Sequence, residues 1–258
     1  IRMSISQGHR ARIWLSQRHI YVLKTETSWY GGVRSRQLCI YDCPADWLTW
    51  PEKIRKYLGD IISVYGLQDY TVYLLLSGPS LLWKELKLAT KRKEEARSMV
   101  VWDEAIGDGS TAYAFDLART AEPPEGALYS WMSAAYPYDM VTDMIQTLRS
   151  GNCCVKRIDV LPAAAGRLCP SGTGTLYLCE PALIHVIRLK SGFPLSYACT
   201  SALPEDGLLW QEEQGQMCCG LWYDEACETW SLPPVSEPVK QDMDRWELVY
   251  PAAVLAAY

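Results

Sequence analysis

Residues 70–165 read YTVYLLLSGPSLLWKELKLATKRKEEARSMVVWDEAIGDGSTAYAFDLARTAEPPEGALYSWMSAAYPYDMVTDMIQTLRSGNCCVKRIDVLPAAA, and the order of elements in this stretch decides the fold. The apolar periodicity predicts strand, strand, a helix ending at Trp102-Asp103-Glu104, strand, strand, amphipathic helix, strand and a short helix. The amphipathic helix is well bounded, because Pro137 opens it and Gly151 follows its last apolar residue. Strands that alternate with helices in this way favour an α/β fold with a mixed sheet.

The sequence on either side of this stretch predicts two similar halves. A helix is predicted between Pro51 and Gly66, and a short apolar helix closes the chain at 250–258. A turn cluster at 169–174 separates two sets of three strands, predicted at 12–16, 19–24 and 37–41 and again at 175–179, 183–189 and 194–199. The repeated pattern predicts one lobe at 1–168, with a small subdomain inserted at about 81–119, and a second lobe at 169–258, each with a mixed sheet that carries a three-strand meander.

Composition and charge exclude several classes of protein. The chain has 258 residues and a net charge of −5, so we expect no nucleic-acid partner. It contains no apolar run of about 18 residues, and its first residues lack the apolar core of a signal peptide. We therefore expect a cytoplasmic protein.

Cysteines and histidines give no sign of a metal or catalytic centre. The ten cysteines are spread along the chain without paired C-x2-C spacing, and we expect most of them to be small buried side chains and no metal site. His19 and His185 lie in strand-like runs. With no partner constellation nearby in the sequence, each is expected to be a packed or surface residue.

Four stretches carry a resemblance to a known family. They are 11–23, 86–118 with Trp102-Asp103-Glu104 and Tyr113-Ala114-Phe115-Asp116, 138–165 with Arg157-Ile158-Asp159, and the alanine-rich close at 250–257. In order and spacing they resemble the PilM/GspL-like actin-fold proteins of type IV pilus and type II secretion assembly platforms. The resemblance implies an α/β, actin-like (ribonuclease H-like) fold of two lobes, a subdomain inserted in the first lobe, and a nucleotide cleft between the lobes.

The chain departs from the family pattern where the nucleotide would bind. ATP-binding members open with a pattern like G-I-D-I-G-S, whereas this chain has Trp14 at the aspartate position and neither glycine. The second phosphate loop falls near Glu180-Pro181, where the proline lacks an N–H and the glutamate would repel phosphate. Cys219-Gly220 is the nearest relic of an adenosine loop. We therefore expect no bound cofactor. ATP is the one cofactor that an actin-like fold could still bind.

Three functions are compatible with this fold. The leading hypothesis is a non-catalytic component of a type IV pilus or type II secretion platform, located in the cytoplasm at the inner face of the plasma membrane. The alternatives are an ATP-binding actin-like protein and a small-molecule kinase of the same fold. A kinase needs a catalytic aspartate beside a phosphate loop. Asp116 and Asp159 are the only candidates in suitable strand positions, and neither has glycines around it, so we expect no enzyme.

The family resemblance also implies a partner site. It implies that the cytoplasmic tail of an inner-membrane pilus or secretion protein lies in a channel between the main lobe and the subdomain at 81–119. The residues expected to bind the tail are Trp83, Leu86, Trp102 and Tyr113. Residues 84–97 carry six cations and three glutamates, which fits either peripheral association with an anionic membrane or a solvated helix face. A homodimer is left open.

Overall fold

The computed structural model describes residues 8–27, 33–101, 112–121, 128–213 and 220–235, together with 251, 254 and 255. The strands are β1 (His9–Leu15), β2 (His19–Thr27), β3 (Val33–Asp42), β4 (Thr71–Leu76), β5 (Leu82–Leu88), β6 (Tyr113–Ala121), β7 (Tyr129–Pro137), β8 (Cys154–Val160), β9 (Gly174–Glu180), β10 (Leu183–Lys190), β11 (Phe193–Thr200), β12 (Gly220–Asp224) and β13 (Thr229–Ser231). The helices are α1 (Pro51–Val64), α2 (Lys93–Val101), α3 (Tyr138–Ser150), α4 (Leu161–Leu168) and α5 (Glu205–Glu213).

The first sheet combines a meander with two parallel strands. Its order is β3-β2-β1-β4-β8. β2 pairs antiparallel with both β1 and β3, whereas β4 runs parallel to β1 and β8 runs parallel to β4. The mixed sheet predicted for the first half is confirmed.

Helices α1 and α3 cover one face of this sheet. Ile54, Leu58 and Ile61 of α1 are buried on one helical face, and α3 contributes Met144 and Leu148 to the same core. The helix predicted between Pro51 and Gly66 is confirmed, since α1 begins at the proline and the glycine follows it with φ +61°. These apolar stripes fix how the two helices lie on the sheet.

A three-stranded antiparallel sheet forms the inserted subdomain. Its order is β5-β7-β6, and α2 packs on it through Ala96 and Val100. The middle strand, β7, lies beyond residue 119, while Trp102-Asp103-Glu104 lies outside the described residues. The subdomain limits of 81–119 and the lobe limits at 168 and 169 stay predictions.

The second sheet has the order β11-β10-β9-β12-β13 and is antiparallel at every described pairing. Among the described residues of the second half, the mixed sheet that the sequence predicts is therefore not found. Its opening three-strand meander was predicted, whereas no strand was predicted at 220–224, where β12 pairs antiparallel with β9. An alternating apolar pattern has the same period of two in either direction, so the sequence did not contain the direction of β12.

Helix α4 packs in the core between the two large sheets. Its Leu161 and Leu168 lie with Trp14 of the first sheet and Leu176 of the second. Of the closing helix predicted at 250–258, residues 251, 254 and 255 are helical and buried, and the others lie outside the described residues. Among the described helices, none has the length and apolar character needed to cross a membrane.

Candidate functional site

A cavity of about 320 Å³ opens between the inserted subdomain and the first sheet. We call it the subdomain groove. One wall comes from β6 and β7, and the other comes from β8 with Val141 of α3 and Ala163 of α4. Five of its sixteen lining residues are alanines, at Ala114, Ala118, Ala134, Ala135 and Ala163. The alanines leave space that larger side chains of a bound segment would fill.

Two edge strands line the subdomain groove. Residues 114–118 of β6 and 158–160 of β8 line it as unbroken runs. β6 and β8 are each the last strand of their sheet within the described part of the chain. Their outward N–H and C=O groups are placed to pair with an added extended segment.

The residues predicted to bind a partner are only partly brought together. Trp83 lines the subdomain groove, and its indole Nε1 donates a hydrogen bond to the carbonyl oxygen of Pro194 at 3.3 Å. Leu86 packs instead against the core of the subdomain. Tyr113 lies half-buried at the start of β6, one residue before the run that lines the groove. Trp102 lies outside the described residues. Whether these side chains bind a partner stays a prediction.

Two carboxylates in the groove lining are held by pairs of cations. Asp116 lies 2.7 Å from Lys93 Nζ and 3.1 Å from an Arg97 nitrogen. Asp159 accepts hydrogen bonds from Arg157 at 2.7 Å and Arg167 at 2.8 Å. These are the two aspartates considered for a kinase, and both are tied into ion pairs.

The loops expected to hold phosphate meet each other through side chains. Trp14 is buried at the end of β1, and its indole Nε1 donates to the Ser77 hydroxyl at 2.9 Å. The Ser16 hydroxyl, just beyond β1, donates to Glu180 Oε2 at the end of β9. Glu180 thus contacts the first loop through its side chain.

A buried set of polar groups extends from this contact, and we call Ser16, Glu180, His185 and Tyr197 the intersheet network. Glu180 Oε1 lies 2.6 Å from Nε2 of the fully buried His185, whose Nδ1 lies 2.9 Å from the Tyr197 hydroxyl. Burial opposes a charge on His185. Its hydrogen bonds to Cys199 and Glu180, together with the charge of Glu180, outweigh burial and raise its pKa to about 9. The network therefore contains a buried imidazolium–carboxylate pair at neutral pH.

His185 is a packed residue, as expected, but the fold gives it partners that the sequence analysis did not identify. The turn at Ser191 and Gly192, whose φ angles are +49° and +75°, folds β11 back on β10 and pairs His185 with Cys199. A glycine turn between two apolar runs is a hairpin signal. The sequence contained this hairpin signal at Ser191-Gly192. Pairing the two strands on either side of that turn would have placed Tyr197 and Cys199 near His185. The alanine lining of the groove had no comparable signal, because it combines residues from several elements.

Half of the described cysteines are buried thiols, at Cys39, Cys43, Cys153 and Cys169, whereas Cys154 and Cys227 are exposed. Eight are free in the described residues, and burial raises the pKa of Cys43 and of Cys169 to about 12. A thiol of such high pKa carries little thiolate, which is the form that binds metal. No cluster of three or more ligand-type side chains suited to a metal ion occurs in the residues that the structure describes.

The fold is similar to two solved structures of actin-like proteins. One is the PilM-PilN type IV pilus biogenesis complex, at 13% identity and a TM-score of 0.59, covering 83% of this chain and 67% of that chain. The other is the cytoplasmic domain of EpsL, an inner-membrane component of the type II secretion system of Vibrio cholerae, at 15% identity and a TM-score of 0.51, covering 81% of this chain and 78% of that one. No family model and no curated protein matches the sequence. The predicted actin-like α/β fold is confirmed, and so is the resemblance to pilus and secretion proteins at the level of fold.

Proposed function

We propose that this chain is a non-catalytic actin-like component of a type IV pilus or type II secretion platform. It works at the inner face of the plasma membrane and holds the cytoplasmic tail of an inner-membrane partner in the subdomain groove. The observation that carries the proposal is that two edge strands, β6 and β8, line one cavity. The similar PilM-PilN complex joins two proteins in pilus biogenesis, which supports a protein partner for this chain.

The groove favours an extended segment with large apolar side chains. Backbone pairing along a strand edge supplies affinity, and the side-chain pockets beside that edge supply specificity. Here the pockets are bounded by alanines such as Ala118 and Ala134, and by the ring of Trp83. An occupant that brings leucines or aromatic residues would fill this space and bury apolar surface.

The electrostatics of the groove also restrict the occupant. Four cations surround the two lining carboxylates, Asp116 and Asp159. A segment with an excess of positive charge would meet this positive surplus at close range. We therefore propose a tail whose bound residues are apolar and carry no net positive charge.

The absence of catalysis is part of the same proposal. Phosphoryl transfer needs a loop that cradles phosphate and an aspartate free to hold the metal ion or activate the acceptor. Trp14 and the Ser16–Glu180 contact occupy the region where the two phosphate loops meet. Asp116 and Asp159 already accept hydrogen bonds from two cationic side chains each. These contacts support a protein that binds no nucleotide.

Site-specific photocrosslinking in cells of the native host tests the proposal. The photoreactive residue p-benzoylphenylalanine replaces Ala118, an exposed residue of β6 that lines the groove. The matched control replaces Ala198, an exposed alanine of the edge strand β11 that does not line it. We expect the Ala118 variant alone to crosslink to the cytoplasmic tail of an inner-membrane protein, located by mass spectrometry of the linked peptide. Crosslinks of equal yield from both positions, or a linked peptide from a soluble enzyme's active site, would contradict the proposal.

A further inference from the structure

Strand β11 of the second sheet holds the connection between β4 and β5 at two points. The Tyr197 hydroxyl accepts the backbone N–H of Gly78 at 2.7 Å, and the Pro194 carbonyl accepts the indole N–H of Trp83 at 3.3 Å. Leu76 and Trp83, on either side of this connection, both line the subdomain groove. One wall of the groove is therefore fixed from outside the groove by the second sheet.

The connection has little freedom to adjust by itself. Gly78 has φ +97°, a backbone conformation that side-chain-bearing residues rarely adopt. Its carbonyl oxygen accepts the N–H of Leu81 at 3.1 Å and lies 3.4 Å from the Tyr197 hydroxyl. Both polar groups of this buried glycine thus depend on a turn that Tyr197 completes.

Tyr197 is in turn held by the rest of the intersheet network. Its hydroxyl lies 2.9 Å from His185, which is paired with Glu180, and Glu180 accepts a hydrogen bond from Ser16 of the first sheet. The path leaves the first sheet at Ser16 and returns to it at Gly78. Because most of these groups are buried, breaking one contact leaves donors and acceptors without partners and is costly.

We propose that Tyr197 is a positioning residue, which transmits the relative placement of the two large sheets to the groove wall that carries Leu76 and Trp83. Tyr197 does not line the groove, so it acts on a bound tail through this wall. The effect on tail binding rests on the proposed function, whereas the effect on the wall does not.

Hydrogen–deuterium exchange of the full chain without any ligand tests the proposal. Tyr197→Phe keeps the ring and removes the hydroxyl, and we expect amide exchange in residues 77–83 to rise by about tenfold while exchange in α1 stays unchanged. The matched control is Tyr65→Phe, which removes a hydroxyl that donates to the Ile40 carbonyl at 2.9 Å, away from β11. Exchange in 77–83 that is the same in Tyr197→Phe and Tyr65→Phe would overturn the proposal.

A second variant covers the case in which Tyr197→Phe does not fold. Glu180→Gln keeps Tyr197 and weakens the anchor of His185, and it is expected to raise exchange in the same segment. Unchanged exchange there would also overturn the proposal. The crosslink from position 118 gives a separate readout, and its yield is expected to fall in Tyr197→Phe. Raised exchange in a protein that never crosslinks to a tail would leave the positioning role standing and reject the proposed function.

Discussion

At the scale of single residues, the buried pair of His185 and Glu180 makes stability depend on pH. The pKa of His185 is raised from 6.5 to about 9 in the folded chain. The folded state therefore binds this proton more tightly than the unfolded state, and the stabilisation is complete below pH 6.5 and is lost as the pH rises to about 9. We expect the free energy of unfolding to fall by on the order of 3 kcal/mol over this interval.

Urea unfolding at a series of pH values measures this dependence. Glu180→Gln is the control, because removing the carboxylate charge removes a main reason for the raised pKa of His185. Its stability should be lower at neutral pH and should change less with pH than that of the natural sequence. A natural chain whose stability is flat or increases between pH 6.5 and about 9 would show that the pair is not ionised.

The sequence predicted the role of a side chain where its own chemical type was informative. It did not predict contacts between side chains that come from different helices and strands. Trp14 and Glu180-Pro181 stood out because a bulky ring, a negative charge and a missing N–H are each poor partners for phosphate. The partners of His185 come from β9 and β11, and those of Asp159 include Arg167 of α4. Such distances depend on strand register and helix placement, which local pattern does not fix.

At the scale of elements, two helical glycines should respond oppositely to alanine. A Cβ added at Gly59 in α1 meets nothing within 4 Å, so Gly59→Ala should stabilise the chain by about 0.5–1 kcal/mol through helix propensity. A Cβ added at Gly166 in α4 would lie 2.4 Å from the Gly192 carbonyl oxygen. Gly166→Ala should therefore destabilise the chain by about 1–3 kcal/mol, because backbone must move. The midpoint of urea unfolding measures both changes, and a stabilising Gly166→Ala would contradict the packing of α4 against the β10–β11 turn.

Helices with a clear start and end in the sequence were predictable, whereas the order and direction of strands in the sheets were less so. α1 and α3 were found from periodicity with a proline at or beside the start and a glycine beyond the end. The strand β12 was not predicted, and its direction could not be read from the pattern, because strand alternation is the same in either direction. The middle place of β7 in its sheet was also not in the pattern, since hydrogen-bonding order among three strands is decided by contacts distant in sequence.

At the scale of the whole molecule, the fold forms a buried contact between the two large sheets and, separately, the open subdomain groove. The contact between the large sheets is filled by Trp14, α4 and the intersheet network. The subdomain groove is lined by residues of the edge strands β6 and β8 and by five alanines, and none of the intersheet network lines it. The family resemblance predicted both the two-lobed fold and a channel beside the subdomain. The lining of that channel could not be predicted beyond Trp83, because it depends on how β7, β8, α3 and α4 meet.

Fluorescence polarisation with the tail peptide identified by crosslinking is the most direct test of whether the subdomain groove binds the tail of a membrane partner. We expect the natural chain to bind the labelled peptide, and Ala118→Trp and Trp83→Ala each to weaken its binding by about tenfold or more. Mg-ATP at millimolar concentration should leave the affinity for the peptide unchanged. Ala198→Trp and Trp230→Ala, which alter side chains outside the groove lining, should bind as the natural chain does. If Ala118→Trp and Ala198→Trp bound the peptide with equal affinity, the tail would not lie in the subdomain groove. Release of the peptide by Mg-ATP would contradict the proposal that the chain binds no nucleotide.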